Sequence, residues 1–420
     1  MSNRTKFALV FLIVNLHLVR NLSLVIYLSV YVPMVLVILV AFVTKIYHRE
    51  RAGIGSMFFV WIGFSFSALF VSLLVISPAG AFTGFTRFLF AAPIFMALVL
   101  YTETADEFRS HISTFVYFFA VASLSLPLQF AVGPISWFAE ASQRAGLERY
   151  SSLVGSLTSI GVIVGSYLVL VQGAKSRAKF LLIVGMVLPA VVSLNKAAMV
   201  NIAIAILGLI LLNWRSLSRV FLAATVSVAV FLLSYSMLPV VQERIDASLQ
   251  SFGLQTNSSA IIRDDVNVET SAMERIVDLP LANFRALGDL HSPLSYLLGG
   301  GFGMGNTALV PVGDVLAPMA HNQYAEVVSV FGLIGGVVLV LIIARIQVAL
   351  VQRWKARLSP SFGPLAVAFF IFVINSVFAN GTLYQPSAAS VFFLAMFAAS
   401  SRIFSRKPEN SGSRSAVDLR

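Results

Sequence analysis

Long apolar runs, separated by short polar or basic breaks, alternate along almost the whole chain. A helix needs about 20 apolar residues to cross the hydrocarbon of a bilayer. Runs of this kind predict helices at 7–19, 22–44, 56–77, 84–101, 112–133, 152–171, 179–194, 197–213, 217–238, 322–344, 361–379 and 384–404. The first is short enough for a signal anchor, but no small-residue cleavage site follows it, so it reads as a retained helix. The pattern therefore predicts an all-α fold, a polytopic membrane bundle of about 12 transmembrane helices.

One segment, 239–321, interrupts the hydrophobicity for longer than a turn, and it divides the chain. Residues 1–238 form an N-terminal bundle of about nine helices and 322–405 the C-terminal helices. The tail 406–420 has the composition of a disordered segment. The long loop holds nine of the 18 acidic residues, four arginines and no lysine. Loops this long are usually functional or disordered. Residues 253–271 read as mobile, whereas 272–298 alternate apolar and polar positions at helical spacing, with Pro280 and Pro293 as breaks. One or two short helices are expected there. No internal repeat is visible, which disfavours transporter folds built from repeated halves.

Composition sets the solvent. Hydrophobic residues make up 58% and charged residues 11% of the 420, with a mean hydropathy of +0.89. A soluble domain carries about 25% charged residues, so lipid must cover much of this surface. There is no cysteine, which excludes disulfides, thiolate metal sites and thiol nucleophiles. The net charge of +11 invites a nucleic-acid reading, but basic residues of membrane proteins collect on cytoplasmic loops. With the N-terminus inside, the predicted cytoplasmic segments hold 20 of the 29 basic residues. The excess charge thus reports orientation, with both termini cytoplasmic, and no nucleic-acid partner is implied.

Three groups of residues could carry chemistry. His321-Asn322-Gln323-Tyr324, followed by Glu326 and by Phe331-Gly332-Leu333-Ile334-Gly335-Gly336, stands where the long loop enters the next helix. A histidine there is suited to take a proton near neutral pH; the plainer alternative is an interfacial histidine that anchors the helix start. Leu298-Gly299-Gly300-Gly301-Phe302-Gly303-Met304-Gly305-Asn306 lacks the Lys-Ser/Thr of a P-loop. It reads either as a flexible turn or as backbone amides that contact a phosphate. The third group is the cations outside the cytoplasm: Arg149 at a helix mouth, Lys196 at a tight interhelical turn, and Arg275 and Arg285 in the loop. A charge at membrane depth costs about 2.5–3.5 kcal/mol on insertion scales and is usually functional. Arginine is the natural bidentate partner of phosphate, although Arg149 and Arg285 equally suit lipid headgroups or ion pairs with the acidic loop.

In order along residues 145–345, these features resemble the O-antigen polymerase and ligase family. The matching pieces are RYSSLVGS (149–156), the charged turn Ser-Leu-Asn-Lys (193–196), the arginine-bearing loop with its glycine run, and HNQYAEVVSVFGLIGG (321–336). Two departures stand out: the turn has Asn195-Lys196 where the family often has Ser-Arg, and no tryptophan follows Arg275 or Arg285. The resemblance implies a metal-independent glycosyltransferase without cofactor, in a bacterial inner membrane, with its active face in the periplasm. Its donor would be an undecaprenyl-pyrophosphate-linked oligosaccharide, with membrane lipid around it and a chain-length regulator or flippase as protein partner. His321 and Arg275 would be catalytic. Arg149, Lys196, Arg285, Gly301, Gly303, Asn322 and Glu326 would bind substrate. A repeat-unit polymerase for O-antigen, capsule or exopolysaccharide is the first expectation. A ligase to lipid A-core is the alternative, and a flippase or other transporter stands as a different class.

Overall fold

The computed structural model describes residues 1–15, 24–48, 56–75, 77–133, 142–144, 147–149, 152–153, 157–192, 196–212, 217–237, 277–288, 294–304, 322–379 and 381–404, with 135, 242 and 246. Helices account for nearly all of it. The first half contains α1 (Asn3–Asn15), α2 (Leu24–His48), α3 (Ser56–Val75), α4 (Pro78–Leu89), α5 (Ala92–Tyr101), α6 (Ala105–Ser123) and α7 (Ser125–Val132). A short antiparallel ribbon, β1 (Ser142–Arg144) with β2 (Leu147–Arg149), precedes α8 (Leu157–Gly173), α9 (Lys179–Val192), α10 (Lys196–Leu212) and α11 (Leu217–Met237). Then come α12 (Leu279–Gly288), α13 (Leu294–Leu298), α14 (Gln323–Lys355), α15 (Phe362–Phe378) and α16 (Pro386–Ser400).

Each predicted apolar run is helical over most of its described residues, but among those residues fewer than the expected 12 helices are long and apolar enough to cross a membrane unaided. Among the described residues, four meet that test by length and composition: Val25–Ile46, Ser56–Val75, Ala105–Gln129 and Gln323–Lys355. The run expected as one helix over 84–101 is two, α4 and α5, bent by 40° at their break; counted as one span it raises the number to five. Pro93 explains the break, since it sits in the first turn of α5 and cannot continue a helix from behind. The run at 217–238 yields α11, 21 residues long, and the remaining runs yield helices of 10–17 residues, most of them shorter than the roughly 20 residues the hydrocarbon requires. The sharpest difference is α14, expected over 322–344 and observed over 33 residues with a break at Gly332. The short helices expected in 272–298 are α12 and α13, with Pro280 in the first turn of one and Pro293 immediately before the other.

The interior is built on α8, which packs against α6, α9, α10 and α15. Small and polar residues bring these helices close, as lipid-solvated bundles require. A Cβ on Gly165 would lie 2.5 Å from the Asn201 carbonyl oxygen, and Asn201 Nδ2 donates to the Gly161 carbonyl. Tyr167 is fully buried, donates to the Ser387 carbonyl at 2.9 Å and stacks on Phe119 at 4.4 Å. Large apolar side chains face outward instead on the rim, among them Leu74 (87% exposed) and Leu211 (77%). Water would not favour that surface; acyl chains would.

Contacts across the bundle tie several chain breaks to one end. Lys6 lies over the Tyr101 ring, Lys45 Nζ donates to the Val99 and Leu100 carbonyls, and Asn3 donates to Glu107. Lys175 N donates to Ser113 Oγ, Ser361 Oγ to the Gly173 carbonyl, and Arg353 to the carbonyls of Ala398 and Ser401. The start of α1 and the breaks after α2, α5, α8 and α14 therefore share this end. Those are the segments in which the sequence concentrates its basic residues.

Candidate functional site

The segment after His321 folds as a capped helix start. Asn322 has extended backbone (φ −144°, ψ 121°), and its Oδ1 accepts from the amides of Tyr324 (2.9 Å) and Ala325 (3.2 Å). This satisfies two of the amides that a helix N-terminus leaves without partners. Gln323 and Glu326, three residues apart, then fall on one face. That face meets the turn between α15 and α16.

A buried polar cluster results. Gln323 Oε1 accepts from Thr382 Oγ1 (3.2 Å) and from the Leu383 amide (3.3 Å), while its Nε2 donates to Glu326 Oε2 (3.2 Å). Glu326 Oε2 also accepts from the Gly381 amide (3.3 Å), and Oε1 from the Tyr384 hydroxyl (3.0 Å). Thr382 in turn lies 2.9 Å from Ser376 Oγ. Gln323, Glu326, Ser376 and Thr382 are all buried. The Tyr384 ring is 6.2 Å from Phe88, and the charge of neighbouring Arg87 reaches Tyr384. A carboxylate held by three donors is fixed in place, because each charge-assisted bond is worth about 1.5–3 kcal/mol and is costly to leave unmade.

One turn further along α14 the helix breaks, and the glycine run fills the gap. Gly332 has φ 71° and ψ −176°, a combination that in effect only glycine adopts. The break frees the Ser329 and Val330 carbonyls, which accept from the amides of Gly300 (2.9 Å) and Gly301 (3.1 Å). Phe302 N donates to Ser72 Oγ (2.7 Å) on α3, and a Cβ on Gly301 would lie 2.5 Å from that same oxygen. Gly303 belongs to the single 3-10 turn Phe302–Met304 that follows. The glycines thus permit close approach, and the approaching group is protein backbone.

The remaining residues singled out in the sequence divide by position. Arg285 is exposed in the last turn of α12, where a cation suits the helix dipole. Arg149 ends β2, paired in register with Ser142, and Lys196 begins α10; their side chains lie outside the described residues' detail. His321 and Arg275 lie outside the described residues altogether. So the structure joins Asn322, Glu326 and the glycine run along α14, and of the cation set it describes the side chain of Arg285 alone. Among the described residues, no three His, Cys, Asp or Glu side chains gather where they could hold a metal ion.

Gln323 stands in the His321–Tyr324 motif without an assigned role, and Thr382, Tyr384 and the break at Gly332 were not anticipated from the sequence. A signal existed for the three side chains. Gln323 and Glu326 are polar at i, i+3 in an apolar helix, and Gly381-Thr382-Leu383-Tyr384 is the polar turn between two apolar runs. No protein-family model matches the chain, and no curated protein is significantly similar to it.

Proposed function

We propose that the chain is a membrane glycosyltransferase that polymerises lipid-linked glycan repeat units at the outer face of a bacterial inner membrane. Both termini are cytoplasmic in this reading. The observation that carries it is the rigid polar seat at the head of α14. There, Asn322, Gln323 and Glu326 fix the helix start that directly follows His321 in the chain. A general base must be held within hydrogen-bond reach of the hydroxyl it activates, and a capped, cross-linked helix start is suited to that task. The other support is the resemblance carried by residues 145–345.

In this mechanism His321 takes the proton of the acceptor hydroxyl as the oxygen attacks the anomeric carbon of the donor. The bond from that carbon to the pyrophosphate oxygen breaks, and its electron pair leaves with undecaprenyl pyrophosphate. Lys196, Arg149 and the loop arginines Arg275 and Arg285 neutralise the charge that develops on the leaving group. Direct displacement inverts the anomeric centre. The acceptor is a second lipid-linked repeat.

Purified protein incubated with a synthetic undecaprenyl-pyrophosphate repeat unit provides the test. Elongated glycan together with free undecaprenyl pyrophosphate is the expected result. A protein that moves the lipid between leaflets without elongating it would be a transporter instead.

A further inference from the structure

At the end of the bundle that gathers the basic residues, the turn between α8 and α9 and the first turns of α6 enclose a cleft of about 390 Å3. It is lined by Arg109, Ala174, Lys175, Ser176, Arg177 and Lys179. Four of those six are cations. Among the described residues, the carboxylate paired with one of them is Asp106, 3.8 Å from Arg109 and 71% exposed, and so exposed a pair neutralises little.

The cleft is a built structure. Lys175 N donates to Ser113 Oγ (2.7 Å), and Ser176 Oγ bonds the Tyr117 hydroxyl (2.6 Å) and accepts from the Ala178 amide (3.0 Å). These bonds pin the whole turn onto α6. Lys179 Nζ donates to the Gln172 carbonyl (3.0 Å), which holds it at the wall. Of the lining residues, Arg109 has a donor atom, Nε, that is buried with no hydrogen-bond partner among the described residues. Buried donors are almost always satisfied in folded proteins, so this wall calls for an acceptor. The four cations and the unpartnered Arg109 donor together select an anion rich in oxygens, which describes a phosphate. Just beyond Lys179, Leu181 is 69% exposed on α9. A ligand that pairs a phosphate with an acyl chain matches both surfaces.

We infer that this cleft binds the phosphate headgroup of an anionic phospholipid, with the acyl chains along α9. Basic clefts between transmembrane helices are suited to such headgroups. The inference uses no residue of the α14 cluster and is independent of glycosyl transfer.

The full chain in neutral detergent is titrated with dioleoyl phosphatidylglycerol and with dioleoyl phosphatidylcholine, and retained lipid is counted by native mass spectrometry. The anionic lipid should be retained in preference by about tenfold or more, with about fivefold lost per cation removed. R109Q/K175Q/R177Q should abolish the preference, and R177Q alone, a change at an exposed side chain, should reduce it. Equal retention of the two lipids, or a preference unchanged in these variants, would overturn the inference. So would displacement of phosphatidylglycerol by millimolar inorganic phosphate, which would make the cleft a site for soluble phosphate.

Discussion

Glu326 joins two distant parts of the chain through two hydrogen bonds and accepts a third from Gln323 on its own helix. Glu326→Ala leaves the Tyr384 hydroxyl, the Gln323 amide and the Gly381 N–H without their acceptor inside a buried cluster. The loss should be about 2–4 kcal/mol of stability, read as a lower midpoint in unfolding of the detergent-solubilised protein. Tyr384→Phe removes one of these bonds and should cost about 1 kcal/mol. If both variants unfold with the parent, the cluster does not hold α14 to the turn between α15 and α16. At this scale the sequence is half informative. A carboxylate in an apolar run is conspicuous, but two of its partners lie 55 and 58 residues away, and no periodicity within α14 points to them.

The helix break at Gly332 and the glycine run that enters it form one element assembled from two parts of the chain. A Cβ on Gly332 would collide with the Leu297 carbonyl, and the backbone there is strained for any other residue. Gly332→Ala should therefore destabilise the protein by about 2 kcal/mol or more. Gly63→Ala is the contrasting case. Gly63 lies within α3, and a Cβ added there would have nothing within 4 Å, so alanine should be neutral or add about 1 kcal/mol through helix propensity. Equal thermal midpoints for the two variants would contradict this account of the break. The helices themselves were legible because apolar runs bounded by prolines and charges carry a local signal. The break was not, since Gly332 sits in a continuous apolar run and its φ is set by the backbone of residues 297–301 docking against it. The same docking gives the glycine run a structural use that its resemblance to a phosphate loop does not suggest.

For the whole molecule, the sequence conveyed best that basic residues concentrate at particular breaks between helices. The excess of lysine and arginine at the breaks is a local feature, and the contacts from Asn3 to Glu107 and from Ser361 to Gly173 gather those breaks at one end. The count of membrane crossings was less legible, because hydropathy cannot see that α4 and α5 bend at Phe90–Ala91. The convergence of Arg149, Lys196, Arg275 and His321 depends on side chains outside the described residues. Orientation has its own test, made simple because the chain has no cysteine. In intact spheroplasts a membrane-impermeant maleimide should label Arg285→Cys and spare Arg177→Cys; the reverse pattern would invert the proposed topology. The central claim is glycosyl transfer with His321 as base. Its most direct measurement is elongation of a synthetic undecaprenyl-pyrophosphate repeat unit by purified protein, compared with His321→Ala. The parent should yield long glycan and free undecaprenyl pyrophosphate, and the variant, while still binding the donor, no elongation. Full elongation by His321→Ala would contradict the assignment of the base, and no product from the parent would contradict the function itself.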